Sequence, residues 1–150
     1  SLPLHVHQVD LGQLLKLFDL EGLSGSGQLD GVLPLAWRNG GLEIHDGRLA
    51  SSGGGTLKYA PAQPAHDNIG LQALRNFHYK QLKADISYTS DGDYRARATL
   101  QGNNPDFYDG YPVHLRLNIG GNLPGMFRAA LFSGDFSRHI LQQLQTGKLQ

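Results

Sequence analysis

The chain has no cysteine, which removes disulfides and thiolate chemistry. It has no charge excess either: thirteen Lys and Arg balance thirteen Asp and Glu, a formal net charge of zero. A nucleic-acid binder needs a basic surplus or stripe. Adsorption on anionic membrane by charge alone needs the same. No apolar run approaches the ~18 residues of a membrane-spanning helix. There is no signal peptide, and the chain starts at Ser1, so it reads as one domain, residues 1–150, excised from a longer protein. G-x-S-x-G, H-E-x-x-H and P-loop patterns are missing. Gly25-Ser26-Gly27 is too short for a phosphate cradle, and no helix follows it. With no nucleophile, base and oxyanion donor brought together, neither enzyme activity nor a cofactor is expected.

Glycine is abundant: twenty residues, scattered between alternating segments, which points to a sheet with many turns. The longest such segment is Leu23 to Trp37. Its odd positions are all apolar or glycine, and most of its even positions are polar or small. A period of two over this length predicts one long β-strand with a buried face, roughly 50 Å at ~3.3 Å per residue. Its glycines invite curvature, and Pro34 belongs at a bulge or an edge.

The rest follows the same design. Leu4 to Val9 is a short strand, and Asp10 caps a helix carrying Leu11, Leu14, Leu15 and Phe18. Asn39-Gly40 makes a hairpin turn. Leu42 and Ile44 continue the alternation until the phase slips at Asp46-Gly47, where a turn or bulge is expected. Leu57 and Tyr59 form another strand. A Pro-rich link (60–65) leads to a helix capped by Asp67 or Asn68, with Ile69, Ala73, Leu74 and Phe77 on one side. Leu82, Ala84, Ile86 and Tyr88, then Tyr94, Ala96, Ala98 and Leu100, flank Asp91-Gly92-Asp93 as the clearest hairpin. Val113, Leu115, Leu117 and Ile119 give a further strand. Asn122 caps a helix, and Phe136, Ile140, Leu141 and Leu144 stripe a last one. The fold class is mainly β: a curved antiparallel sheet, groove- or taco-like, with one apolar face partly capped by three or four short amphipathic helices.

Two readings of that face are open. Three ten-residue helices shield on the order of 450 Å². A sheet of five or six strands presents roughly 1000 Å². If the long strand stays in the sheet, the surplus is an interaction surface; if it folds back on a glycine, the surplus disappears. The groove-facing residues are then Leu29, Leu33, Leu35, Trp37, Leu42, Ile44, Leu57 and Tyr59 in the first half. In the second half they are Leu82, Ile86, Tyr88, Tyr94, Leu100, Leu115, Leu117 and Ile119.

Other candidates are weaker. His5 and His7 share a strand face, but a zinc site needs a third protein ligand and none is spaced for it. Asp91/Asp93 and Asp106/Asp109 suit turns and loops. Arg95 and Arg97 fall on the polar face. Trp37, Tyr108 and Tyr111 are the aromatic residues a glycan binder would use. The outermost strands offer unpaired edges for strand addition.

Several strings carry a resemblance: G-x-G-x-L-x-G-x-L-P-L (Gly25 to Leu35), G-x-L-x-Y (Gly55 to Tyr59), A-L-x-N-F-x-Y (Ala73 to Tyr79), L-x-G-N-N-P (Leu100 to Pro105) and Asn122-Leu123. Together they resemble the C-terminal domain of the YdbH family, AsmA-like proteins related to TamB that carry a "dicarboxylate transport" label. The resemblance implies a periplasmic protein anchored in the inner membrane, whose curled sheet passes phospholipid toward the outer membrane. It further implies the outer-membrane lipoprotein YnbE as a strand-pairing partner and YdbL as an accessory protein. The dicarboxylate label finds no support in the residues, since no Arg or Lys cluster lines an apolar strand face.

Overall fold

A computed structural model of the chain describes residues 1–16, 21–61 and 69–122. Phe18, most of the Pro-rich link, the Asp67/Asn68 cap and the helices expected after Asn122 lie outside them.

The elements run β1 (Leu2–Asp10), α1 (Leu11–Lys16), β2 (Leu23–Ser26), β3 (Gln28–Arg38), β4 (Gly41–Ser51), β5 (Gly55–Tyr59), α2 (Ile69–Ala73), β6 (Phe77–Tyr88), β7 (Asp93–Asn103) and β8 (Val113–Asn122). All eight strands among the described residues belong to one antiparallel sheet.

The long strand expected over Leu23 to Trp37 is corrected by the structure: it breaks at Gly27, where φ is +118°. Its halves, β2 and β3, pair with β5 and β4 respectively. The segments β4 and β5 in turn pair with successive parts of β6. The break therefore bends the strand without taking either half out of the sheet. Counting β2/β3 and β4/β5 as bent single strands, the sheet order follows the chain order, which is a meander.

The joint is held from three sides. A Cβ on Gly27 would stand 2.0 Å from the Tyr79 hydroxyl oxygen, so only glycine fits under that ring. The same hydroxyl donates to the Ser26 carbonyl at 2.8 Å. The Leu11 N–H donates to the Gly27 carbonyl at 2.9 Å.

Other local devices match their chemistry. Asn39 and Gly40 both take positive φ (54° and 76°), as a tight hairpin turn demands. The slip at Asp46-Gly47 is a bulge, with Asp46 at φ 58°. Pro34 lies within the register shift between Val32 and Leu35, which removes the need for its missing N–H. Asp10 caps α1 by accepting the Gln13 N–H at 3.0 Å. The helix lies tight on β2, for a Cβ on Gly12 would be 2.8 Å from the Gly25 carbonyl. Helix α2 continues into a 3-10 turn over Leu74–Asn76, so Phe77 opens β6 instead of closing the helix. Buried Asn104 locks the end of α2, donating to the carbonyls of Gln72 and Ala73 (3.3 and 3.1 Å) and accepting the Asp106 N–H at 2.8 Å.

Candidate functional site

Residues directly opposite in antiparallel strands point to the same side. The registers therefore define rows across the sheet. One row is Leu35–Ile44–Tyr88–Tyr94, and a parallel row is Leu29–Ser51–Leu82–Leu100–Leu115. Between them run Ile86–Ala96–Ile119 and Gly31–Leu49–Ala84–Ala98–Leu117. The expected groove residues of β3, β4 and β6 to β8 thus share one face. Leu57 and Tyr59 continue the sheet on β5.

Their exposures differ. Leu29, Leu35, Ile44, Leu57, Leu82, Tyr88, Tyr94, Leu100 and Leu115 are buried. Leu33, Leu42, Tyr59, Ile86, Leu117 and Ile119 are half-buried. Trp37 is 67 % exposed at the tip of the β3–β4 hairpin. Most of the face is enclosed, and six of its half-buried residues adjoin in one strip.

That strip lies on β6 to β8, where Ile86, Leu117 and Ile119 stand around the small side chains of Ala84, Ala96 and Ala98, all of them half-buried. Leu33 approaches it from β3: a Cβ on Gly47, which pairs with Ile86, would be 2.7 Å from a Leu33 methyl. Buried Tyr88 and Tyr94 close one end, and Leu82, Leu100 and Leu115 close the other. Three strands by two rows amounts to roughly 200 Å² of apolar floor. Burial pushes the Tyr88 and Tyr94 phenols up, with the Asp91 charge adding to the effect at Tyr88. The alanine floor was missed in the list of large apolar residues. Its signal was present: alanines at apolar-parity positions on both arms of one hairpin face each other once the turn sets the register.

The remaining candidates separate. His7 pairs with Asp30 at 2.8 Å beside a bulge at Gln8 (φ 53°). No group of three potential metal ligands occurs among the described residues. Asp91 accepts from the Thr89 hydroxyl and the Asp93 N–H, which hold its carboxyl below the usual range. Asp106 accepts from the Asn76 amide at 2.9 Å. Tyr108 and Tyr111 are exposed neighbours, ring centres 6.4 Å apart. Trp37 sits at the opposite end of the strands, ~30 Å away along the 11 residues of β7, so the three aromatics form no common platform. Arg95, Arg97 and Arg116 take the face opposite the apolar rows.

Among the described residues, no helix is long and apolar enough to cross a membrane. A family model described as "YdbH-like: Intermembrane phospholipid transport protein YdbH" matches residues 1–145. No curated protein and no solved structure matches.

Proposed function

The chain belongs to the YdbH-like family of intermembrane phospholipid transport, and on that premise we propose that it is a non-enzymatic stretch of a lipid-conducting bridge. The observation that carries this reading is the half-buried strip of Ile86, Leu117 and Ile119 over its alanine floor. With about half of that floor already covered, an acyl chain over the strip gains ~2–3 kcal/mol at about 25 cal/mol per Å². That is enough to hold a chain and weak enough to release it. The contact is non-directional, which suits a surface that must pass one lipid after another. In this reading the chain is the C-terminal domain of a longer periplasmic protein.

An edge strand is the site for a partner. Strand β8 pairs with β7 through ten consecutive positions without a register shift, and no strand among the described residues pairs with its other side. Strand β1, the opposite border, is interrupted by its bulge, a feature that discourages strand addition. We therefore assign β8 as the strand that receives the outer-membrane lipoprotein, YnbE in the family's terms, with YdbL as a further partner.

Burial of Leu29, Leu35, Ile44, Leu82 and Leu100 favours a second reading, a cap whose face is sealed and which works only through its edge. Native mass spectrometry of the purified chain separates the two. Lipid adducts present in the parent and in Gln101→Asp, but lost in Leu117→Asp, support conduction. A lipid-free parent whose partner binding is abolished by Leu117→Pro on β8 supports the cap.

A further inference from the structure

The face opposite the apolar rows holds a feature that lipid conduction does not use. A cleft of about 1350 Å³ spans β3, β4, β6, β7 and β8. The registers Lys83–Thr99–Arg116 and Asp85–Arg97–Asn118 run across it, which places it on the polar face. Arg48, Lys83, Arg95, Arg97 and Arg116 line it, against Asp30, Asp46 and Asp85. In a chain whose net charge is zero, this is a local positive excess.

Two of the acids are already engaged. Asp30 holds His7 and the Gln8 N–H, each at 2.8 Å. Asp85 lies 4.0 Å from Arg48. Among the described residues, Lys83, Arg95, Arg97 and Arg116 have no ion-pair partner. Arg95 and Arg97 are two apart on β7, and Arg116 is the diagonal neighbour of Arg97 on β8. Diagonal neighbours stand ~7–8 Å apart. Like charges so placed repel, and an anion between them relieves that repulsion.

The shape selects the ligand class. The cations gather over three adjacent strands, ~10 Å across and ~13 Å along them at the usual spacings, a patch that guanidinium side chains can converge over. They do not trail along one strand as a linear polyanion would require. The Thr99 hydroxyl and Asn118 amide, also in the lining, add neutral hydrogen-bonding groups between them. Guanidinium forks match the paired oxygens of a phosphate group, and convergent donors suit a compact tetrahedral anion. Toward β3 and β4 the lining holds Val32, Pro34 and Ala50 beside Asp30, Asp46 and Arg48, which suits a neutral, hydroxyl-bearing remainder. We propose that this cleft is a binding site for a phosphate monoester or diester, seated on Arg95, Arg97 and Arg116. Ala84, Ala98, Leu117 and Ile119 of the apolar strip also border the cleft, so the assignment rests on the cations of the polar rows, and titration with inorganic phosphate reads it without lipid.

The test is an amide-shift titration of the chain with inorganic phosphate, with sn-glycerol 3-phosphate, and with acetate at matched ionic strength. Saturable shifts centred on Arg97, Thr99 and Asn118 with both phosphates, but not with acetate, are the expected result. Arg97→Gln and Arg116→Gln each weaken phosphate binding about tenfold, the loss of one charge-assisted contact. Lys58→Gln, outside the cleft, leaves it unchanged. Flotation with phosphatidylcholine vesicles containing phosphatidylglycerol identifies the source. Co-flotation of the parent but not of Arg97→Gln points to a lipid head group, whereas phosphate binding without co-flotation points to a soluble ester. Equal shifts with acetate, or none in the cleft, overturn the assignment, and the parent's shift map decides this even where a variant folds poorly.

Discussion

Replacing Ala98 by leucine asks whether the strip is open or packed. Ala98 stands between Ala84 on β6 and Leu117 on β8, in the middle of the alanine floor. The substitution adds three carbons. Full burial of each is worth ~0.8 kcal/mol, and in a half-open strip about half of that is realised, so the gain is ~1 kcal/mol. For a domain of this size that raises Tm by about 2–4 °C. At the same time the new side chain occupies the floor that an acyl chain would cover, so less lipid co-purifies. A filled core responds with the opposite sign, because overpacking costs ~1–3 kcal/mol. Scanning calorimetry on delipidated protein, paired with lipid extraction of the same preparation, reads both quantities. A lower Tm refutes the open strip. A raised Tm with undiminished lipid refutes its role in lipid contact.

Further outcomes concern the frame. Gly27→Ala places a methyl against the Tyr79 hydroxyl at φ +118° and is expected to cost ~1–3 kcal/mol from backbone strain alone; urea unfolding measures it, and a loss under 0.5 kcal/mol contradicts the account of the joint. Tyr79→Phe removes only the bond to the Ser26 carbonyl, with an expected loss of ~1 kcal/mol in the same assay. Asn104→Ala strips the hydrogen bonds to the end of α2 and the Asp106 N–H, for about 2–3 kcal/mol, and speeds amide exchange in residues 69–76; unchanged exchange there refutes the lock. Glu43 accepts from His45 and from the Ser90 N–H, each at 2.9 Å, which holds its carboxyl at about 2 against an ordinary 4.5. A depressed carboxyl stabilises the fold above its unfolded value, and that contribution is lost as pH falls from 4.5 toward 2. Glu43→Gln should therefore flatten the Tm-against-pH curve in that window, and an unchanged acid limb counts against the bond.

Much of the fold was legible because its determinants are local. The Asn39-Gly40 turn, the bulge at Asp46-Gly47 and the hairpin about Asp91-Gly92-Asp93 each follow from a few adjacent residues. The hairpin even sets its own register, Tyr88 against Tyr94 and Leu82 against Leu100. The break at Gly27 was less legible. Several glycines in Leu23 to Trp37 invite a bend, and the one that bends is chosen by Tyr79, far along the chain. The bulge at Gln8 escaped for a similar reason, since Val6 and Val9 reach one face only when paired against Gly31 and Leu29. The candidate site divides the same way. Which residues are apolar and share a face was readable, but the size of the opening was not.

Strand parity alone determined that this chain has an oily side and a wet side, because side-chain direction in an extended segment is set by the backbone within a residue or two. Tertiary structure decided which part of the oily side stays half-open and which cations meet on the wet side. Both are sums over strands that are distant in sequence, and neither exists until the registers bring Ala84, Ala98 and Leu117, or Lys83, Arg97 and Arg116, side by side.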